Sequence, residues 1–208
     1  YAVVAMEAVT HGDHPSGNGN GSTDDAMRFL GLDLETISLD TRAIRGNFDQ
    51  TNLDRLRLLH LLQTEPDLDG DGTPELDPDR VFYLGASLGA ILGPQLLALS
   101  SDIDGSVLSV GGAQLISIVT DTEQLEDYAE LIAFAVGSTE RFDRLIAVAQ
   151  HIVDPVDGGT YAPHVLHDRW DDAPAPHLLV QVAMDDTVVP PSSGHALARA
   201  LDLPHMEP

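Results

Sequence analysis

The sequence predicts an α/β fold with a mostly parallel sheet and helices on both of its faces. Three short apolar runs, at residues 80–84, 105–112 and 177–184, have the length and composition of buried strands. Segments with helical spacing separate these runs, and strands that alternate with helices form parallel sheets. A chain of 208 residues can bury one sizeable core, so we expect one domain over residues 1–208.

The amino-terminal segment indicates how the chain begins. Residues 2–9 (AVVAMEAV) predict a buried strand, and the polar, Gly-rich residues 10–25 predict a loop. The chain opens on this apolar run with no initiator Met, no leader and no preceding turn. We therefore expect the sequence to be a piece of a longer protein, with its domain incomplete at both ends.

The helices follow from the spacing of apolar residues. A first helix is expected at residues 24–30, and Leu residues recur at helical spacing over 52–62, which predicts an amphipathic helix. Residues 88–99 predict a helix directly after a strand, and residues 192–201 predict the last helix. The pattern is also helical over about 114–170, between two strands. A block of this length indicates a cap insertion rather than a linker.

Composition excludes several classes of partner. The chain has 34 acidic residues against 10 basic ones, all Arg, and a formal charge of −24. Such a polyanion repels nucleic acid phosphates and anionic lipid surfaces. Life in high salt, a location outside the cell with bound divalent cations, and GC-rich codon bias with a merely solvated acidic surface all remain open. Cys is absent, and no uninterrupted apolar run of about 18 residues predicts a membrane span.

The segment GASLG, residues 85–89, places Ser87 between an apolar strand and a helix. This is the G-x-S-x-G pattern of a strand-to-helix elbow, in which a cramped backbone exposes the serine hydroxyl. The Leu88 amide, at the start of the helix, is then placed to donate to an oxyanion. The alternative is a Gly-rich turn into a helix with no chemistry.

Two aspartates follow the last predicted strand, in AMDDTVVPP. Working residues of a parallel sheet lie at the carboxyl ends of its strands, so Asp185 or Asp186 is a candidate acid for a triad with Ser87. In a chain so rich in Asp, two solvent-facing loop aspartates are the alternative.

The segment DLDGDGTPELD, residues 67–77, matches the first half of a calcium-binding loop of the EF-hand type. Oxygen ligands alternate along it, and Gly72 occupies the sixth position, where a sharp turn is needed. The twelfth position is Pro78 instead of Glu, and Asp77 or Asp79 is a substitute. A structural Ca²⁺ and a solvated acidic turn are both compatible with this pattern. Chemistry at Ser87 needs no cofactor. The candidate ligands are Asp67, Asp69, Asp71, Thr73 and Glu75.

With these motifs, the chain resembles the α/β-hydrolase superfamily over nearly its whole length. RGNFDQTNLDRLRLLHLL, followed by DLDGDGTPELDPDRVFYLGASLGAILG, is similar to extracellular bacterial lipases of the virulence-factor type. Those carry R-x-N-x-x-Q before a helix, a D-x-D-G-D-G loop and then the elbow. The residues that match the first of these motifs and its helix are Arg45, Asn47, Gln50 and Asp54. Ala86 departs from the pattern, where His is frequent.

The resemblance implies roles for further residues. The G-x-x-D-x-x-V-P segment of the superfamily aligns with residues 183–190 and favours Asp186 over Asp185. The superfamily places its catalytic His after the acid, beyond a further strand. His195 lies within the last predicted helix and His205 precedes such a strand, so we expect the base beyond Pro208, with His205 as a weak candidate. A second oxyanion donor is expected from a loop before residue 1.

The implied activity is hydrolysis of carboxylic esters, of lipid or other small apolar acyl substrates, by a secreted or cell-surface bacterial enzyme. In this interpretation the cap shapes the acyl pocket. A non-catalytic module with the same fold, or a hydrolase of another bond such as a peptidase or polyester depolymerase, stays open because one fold hosts many chemistries. The sequence does not predict the oligomeric state.

Overall fold

The computed structural model describes residues 2–17, 23–33, 35–36, 38–170 and 172–206. Residues 18–22 of the predicted amino-terminal loop lie outside the described residues. The helices are α1 (Thr23–Phe29), α2 (Thr41–Thr64), α3 (Leu88–Leu99), α4 (Leu115–Asp121), α5 (Glu126–Val136), α6 (Thr139–Val153), α7 (Gly158–Tyr161), α8 (Pro163–Leu166) and α9 (Pro191–Ala200). The strands are β1 (Leu32–Asp33), β2 (Ser38–Leu39), β3 (Phe82–Ala86), β4 (Gly105–Ser109) and β5 (His177–Gln181).

The main sheet confirms the predicted α/β fold. Strands β3, β4 and β5 pair in parallel in that order, and Ala86, Ser109 and Gln181 align at their carboxyl ends. A second, two-stranded sheet pairs β1 with β2 antiparallel and was not predicted. The parallel register brings the segments that follow all three strands to one edge, which is where such sheets place their chemistry.

The two faces of the main sheet differ in exposure. One face carries Tyr83, Leu108 and Leu178, which pack in an apolar cluster with helices α3 and α9. On the opposite face, Phe82 is 64% exposed and Leu84 is 75% exposed. Of the two helical layers that the sequence predicts, the described residues therefore contain the one on the Tyr83 face.

The strand predicted at residues 2–9 does not form in the structure. No residue of the described range 2–9 belongs to a strand, and the side chain of Val3 is almost wholly exposed. A strand requires a neighbour for its backbone groups, and no described strand pairs with this segment. Its carboxyl end is instead fixed by Val9, which is buried and donates its amide to the Thr51 hydroxyl at 3.2 Å.

Helix α2 extends well beyond the predicted residues 52–62 because its start is capped. The Asp40 carboxylate accepts hydrogen bonds from the amides of Arg42 (2.9 Å) and Ala43 (3.1 Å). Such a cap satisfies two amides that the first helical turn leaves without partners. The buried side chains of α2 then pack in the core beside α3, which matches its predicted bounds.

The block between β4 and β5 is helical, as predicted, but its helices differ in burial. Val153 at the end of α6 and Val165 in α8 are fully buried, so these helices join the layer that contains α2 and α3. Helix α5 is the outermost part, because none of its described side chains is buried and Phe134 is 84% exposed. No described helix combines the length and the apolar content needed to cross a membrane.

Candidate active site at the carboxyl edge of the sheet

Ser87 occupies a strained turn between β3 and α3. Its backbone has a φ of 49° and a ψ of −117°, outside the regions that L-residues ordinarily adopt. The Ser87 amide donates to the Ser109 carbonyl at 3.0 Å, and its own carbonyl accepts from Ala90 and Ile91 in the first turn of α3. The residue is exposed. This geometry is the elbow that the sequence predicted.

Two glycines make the turn sterically feasible. A Cβ at Gly85 would lie 2.6 Å from the Gly89 carbonyl oxygen, so only glycine allows this approach of strand and helix. A Cβ at Gly111, just past β4, would lie 2.6 Å from the Cβ of Ala90. Small residues therefore let both neighbouring chain segments approach the amino terminus of α3.

The Leu88 amide is the first N–H of α3 and has no acceptor among the described residues. It lies at the positive end of the helix dipole, where an anion is stabilised. Nearby, the Tyr83 hydroxyl donates to the Gly89 carbonyl at 2.7 Å, which anchors the first turn to β3.

Tyr83 packs beside the half-buried side chain of Arg55. The Arg55 guanidinium is 5.6 Å from the centre of the Tyr83 ring. Burial raises the pKa of the Tyr83 hydroxyl, and the Arg55 charge opposes part of that rise. Burial likewise lowers the pKa of the Arg55 guanidinium. The support beneath the elbow is thus a neutral phenol paired with a partly desolvated cation.

A buried carboxylate fixes the segment after β4. Asp157 is 3% exposed. Its two oxygens accept from the amides of Gln114 (3.1 Å), Leu115 (2.6 Å) and Gly159 (2.8 Å) and from the Gln150 side chain (2.9 Å). Gln114 has a φ of 62°, a conformation that an L-residue keeps only when its surroundings hold it. Asp157 therefore joins the amino termini of α4 and α7.

Neither Asp157 nor Gln150 was a sequence candidate. The contact between Asp157 and Leu115 spans 42 residues, which no local pattern reveals. The one local signal was Asp before Gly-Gly, a common way to cap a short helix.

The two aspartates after β5 differ in their surroundings. Asp186 is half-buried, and its Oδ1 accepts from the amides of Val188 (2.8 Å) and Val189 (3.0 Å). Its other oxygen is left for a further donor. Asp185 is exposed and accepts no hydrogen bond within the described part of the chain. The fixed carboxylate is therefore Asp186, the residue that the resemblance favoured.

Ser87 and Asp186 follow different strands of the main sheet. Ser87 comes directly after β3, and Asp186 lies five residues after the end of β5, with β4 between the two strands. Neighbouring strands lie about 4.8 Å apart, so the carboxyl ends of β3 and β5 are about 10 Å apart.

Within the described residues, neither carboxy-terminal histidine, His195 or His205, is paired with a carboxylate in the way that a triad base requires. His195 is half-buried on α9, His205 is exposed, and their ring centres are 6.2 Å apart. Neither contacts a described carboxylate within ion-pair distance. The prediction of a base beyond Pro208 remains a prediction.

The acidic loop adopts a tight, self-bonded conformation. Gly70 and Gly72 have φ values of 77° and 89°, which only glycine adopts without strain. Asp67 accepts from both glycine amides at 2.8 Å. Ligand oxygens of four of the five predicted residues lie within 4.8 Å of one another; these are Asp67, Asp69, Asp71 and Glu75. The Thr73 amide donates to the Asp71 carboxylate at 2.8 Å, and a role for Thr73 as a ligand stays a prediction.

Residues of the R-x-N-x-x-Q motif have structural contacts. Asn47 donates to the carbonyls of Arg28 and Phe29 and so caps the end of α1. Gln50 donates to Asp54 at 2.8 Å, and Asp54 lies 3.8 Å from His14 of the amino-terminal loop. Through Asn47 and Asp54, helix α2 therefore contacts the end of α1 and the amino-terminal loop.

No protein-family model matches the chain, and no curated protein matches it in sequence. The solved structures that share parts of its backbone include the following three. Acetyl xylan esterase 1 from Thermoanaerobacterium sp. JW/SL YS485 has a TM-score of 0.48 and 21% identity over 74% of this chain and 44% of its own.

An acylaminoacyl peptidase from Pyrococcus horikoshii has a TM-score of 0.46 and 18% identity, over 89% of this chain and 24% of its own. A puromycin hydrolase mutant complexed with PGG has a TM-score of 0.44 and 17% identity, over 89% of this chain and 22% of its own. The chain thus spans less than half of each of these proteins.

Proposed function

We propose that the chain is a serine hydrolase of the α/β-hydrolase kind that cleaves carboxylic esters. The observation that carries the proposal is the strained, exposed Ser87 between a parallel strand and helix α3. Strain of this kind persists only where the surrounding structure imposes it, and it clusters at functional sites.

Each proposed step uses groups at the carboxyl edge of the sheet. Ser87 Oγ bonds to the ester carbonyl carbon while its proton passes to a histidine base, which Asp186 orients. The Leu88 amide donates to the resulting oxyanion. Collapse breaks the bond to the alcohol, which takes the proton from the histidine. Water then repeats the sequence, releases the acid and restores Ser87.

The histidine is the component that remains to be located. In this proposal it follows Asp186 in chain order and lies beyond Pro208, with His205 as the weaker candidate. Fluorophosphonate labelling of Ser87 identifies this histidine. The labelling is measured in the longest natural form of the protein, in His205→Ala, and in a variant of each histidine downstream of Pro208. Loss of labelling in only one variant marks the base.

The finer parts of the proposal rest on the resemblance to extracellular lipases. The substrate is a lipid or other apolar acyl ester, the enzyme is secreted or exposed at a bacterial surface, and residues 114–170 form its cap within one domain. The four clustered carboxylates of the acidic loop hold a structural Ca²⁺, because hard cations prefer several oxygen ligands around one centre.

A substrate panel tests the reaction. We expect fluorophosphonate labelling of Ser87, turnover of p-nitrophenyl esters, and a loss of about 10⁶-fold in turnover for Ser87→Ala. Faster cleavage of matched peptide amides would reassign the bond to that of a peptidase. Absence of both labelling and turnover, in a folded protein that contains the downstream histidine, would leave a binding module.

A further inference from the structure

The Tyr83 hydroxyl is connected to the Leu88 amide through two peptide units at the start of α3. It donates to the Gly89 carbonyl at 2.7 Å. The Gly89 carbonyl and the Ala90 N–H belong to one planar peptide unit, and the Ala90 N–H donates to the Ser87 carbonyl at 2.8 Å. The Ser87 carbonyl shares its peptide unit with the Leu88 N–H. This chain of hydrogen bonds therefore starts at a side chain of β3 and ends at the proposed oxyanion donor.

The bonds of this chain all have the same direction. A peptide unit whose carbonyl accepts a hydrogen bond becomes a stronger donor at its own N–H, because its resonance moves charge from nitrogen to oxygen. The Tyr83 bond therefore strengthens the Ala90 N–H as a donor, and the Ala90 bond strengthens the Leu88 N–H. Cooperative strengthening of this kind is about 10–30% per bond. The expected effect at Leu88 is thus a fraction of what the loss of a whole oxyanion donor costs.

A cation lies over the ring at which the chain of bonds begins. The Arg55 guanidinium is 5.6 Å from the centre of the Tyr83 ring. Although the sequence has 34 acidic residues, no described carboxylate lies within ion-pair distance of Arg55, and its buried Nη1 has no hydrogen-bond partner in the described part of the chain. An N–H buried without a partner costs free energy. Stability alone therefore does not account for an arginine at this position.

The Arg55 charge acts on the Tyr83 hydroxyl in the direction of a stronger donor. Burial raises the pKa of the Tyr83 hydroxyl, and the Arg55 charge lowers it again. Both side chains are half-buried, so the charge acts through a medium of lower dielectric constant than water. A phenol beside a cation gives up its proton more readily and donates a stronger hydrogen bond.

We propose that Tyr83 is a positioning residue for the oxyanion donor and that Arg55 sets the strength with which Tyr83 acts. Tyr83 holds the first turn of α3 against β3 and polarises the Leu88 N–H. Both side chains act through the backbone, without contact with the ester. The role in turnover rests on the proposed ester hydrolysis, whereas the polarisation of the amide is a property of the resting protein.

The proton chemical shift of the Leu88 amide tests the polarisation without turnover, in the longest natural form of the protein. Tyr83→Phe should move this shift upfield, because the amide loses polarisation. Placing 3-fluorotyrosine at position 83 should move it downfield at about pH 6, where the more acidic phenol still keeps its proton. Tyr161→Phe is the matched control, since it removes a bond of the same kind, to the Pro155 carbonyl at 2.9 Å, and should leave the Leu88 shift unchanged.

Turnover of p-nitrophenyl esters tests the catalytic consequence. Tyr83→Phe should lower kcat about fivefold and leave KM unchanged, because the lost strengthening acts in the transition state. The 3-fluorotyrosine protein should have a higher kcat than the natural one, a response that a role in packing alone would not produce. Arg55→Met should lower kcat about twofold. Arg57→Met makes the same change at an exposed arginine of the same helix and should leave kcat unchanged.

Several results would overturn the proposal. These are an unchanged Leu88 shift in Tyr83→Phe, equal losses of turnover in Tyr83→Phe and Tyr161→Phe, and a lower kcat with 3-fluorotyrosine. The fluorinated protein keeps the hydroxyl and its hydrogen bond, so its result does not depend on the stability of Tyr83→Phe. Failure of the hydrolase proposal has a different appearance, because Ser87 would then resist fluorophosphonate in every variant while the Leu88 shift still responded to Tyr83→Phe.

Discussion

The Ser87 amide donates to the Ser109 carbonyl at 3.0 Å, and this bond extends the β3–β4 ladder one residue past the last strand pair. The elbow is therefore continuous with the sheet. The next strand repeats the arrangement, because the Val110 amide donates to the Gln181 carbonyl at 2.9 Å. These two bonds fix where the segments after β3 and β4 leave the sheet.

Gly85→Ala should destabilise the elbow. The added Cβ would lie 2.6 Å from the Gly89 carbonyl oxygen, so strand and helix must separate. We expect a loss of about 1–3 kcal/mol in the free energy of unfolding, measured by urea denaturation. The matched control is Gly89→Ala, where the nearest atom is the Tyr83 hydroxyl at 3.6 Å. That helical site should tolerate alanine, and equal losses at both positions would contradict the packing argument.

Asp157→Asn should loosen the segment between β4 and α4. An amide group cannot accept at both of its ends, so the variant leaves at least one buried N–H without a partner. We expect a loss of about 2–4 kcal/mol in stability, with hydrogen exchange of the Gln114 and Leu115 amides accelerated. Asp154→Asn is the control, because the carboxylate of this half-buried residue accepts from the Gln150 side chain and from no buried amide. Its cost should stay below about 1 kcal/mol.

Calcium should stabilise the chain through the acidic loop. If Ca²⁺ is added at about 100 times its Kd, mass action contributes about 2.7 kcal/mol. For a chain of this size, that raises Tm by several degrees relative to protein in EDTA. Asp69→Asn with Asp71→Asn should abolish the shift, and Asp102→Asn, at an exposed aspartate outside the loop, should preserve it. Magnesium that reproduces the full shift would argue against a calcium-selective loop.

Stability should fall at alkaline pH through Tyr83. Its pKa is raised by burial in the folded state, whereas in the unfolded chain it is about 10. The folded state holds the proton more tightly, so this contribution is fully present below about pH 10 and is lost as pH rises through the folded pKa. Tyr83→Phe should lower stability by about 1 kcal/mol at pH 7, through the lost bond to Gly89.

The same variant should flatten the decline of stability above about pH 10. Denaturation curves from about pH 8 to about pH 11 test this, with phenolate absorbance as an independent titration. A decline with the same slope in Tyr83→Phe would assign the alkaline sensitivity to other groups, of which Tyr161 also has a raised pKa from burial.

Local patterns predicted the strand-to-helix elbow at Ser87, and the structure has this turn. They also indicated the acid segment, whose catalytic role stays a prediction. The turn at Ser87 depends on residues close to it in sequence, and Asp186 bonds to amides two and three residues later. The sequence pattern alone could not decide whether residues 2–9 form a strand. Apolar residues show only that a segment is able to pair with a neighbouring strand. Whether it pairs depends on a neighbour elsewhere in the chain.

The supporting contacts of the site were beyond sequence reasoning for a related reason. Asp157 meets Gln114 across 43 residues, and Arg55 meets Tyr83 across an intervening loop and helix end. In a sequence with many aspartates, nothing near Asp157 in sequence indicates which residues it contacts. Only the fold distinguishes this buried carboxylate from the solvated ones around it.

The positive φ of Ser87 also has an evolutionary meaning. Glycine relieves such a backbone at no steric cost, so drift under selection for folding alone would favour replacement of this serine by glycine. A saturation library at this position, sorted separately for cellular abundance and for substrate turnover, would compare selection for folding with selection for chemistry. If Ser87 is the nucleophile, selection for turnover must retain serine at this position, because selection for folding alone would favour glycine.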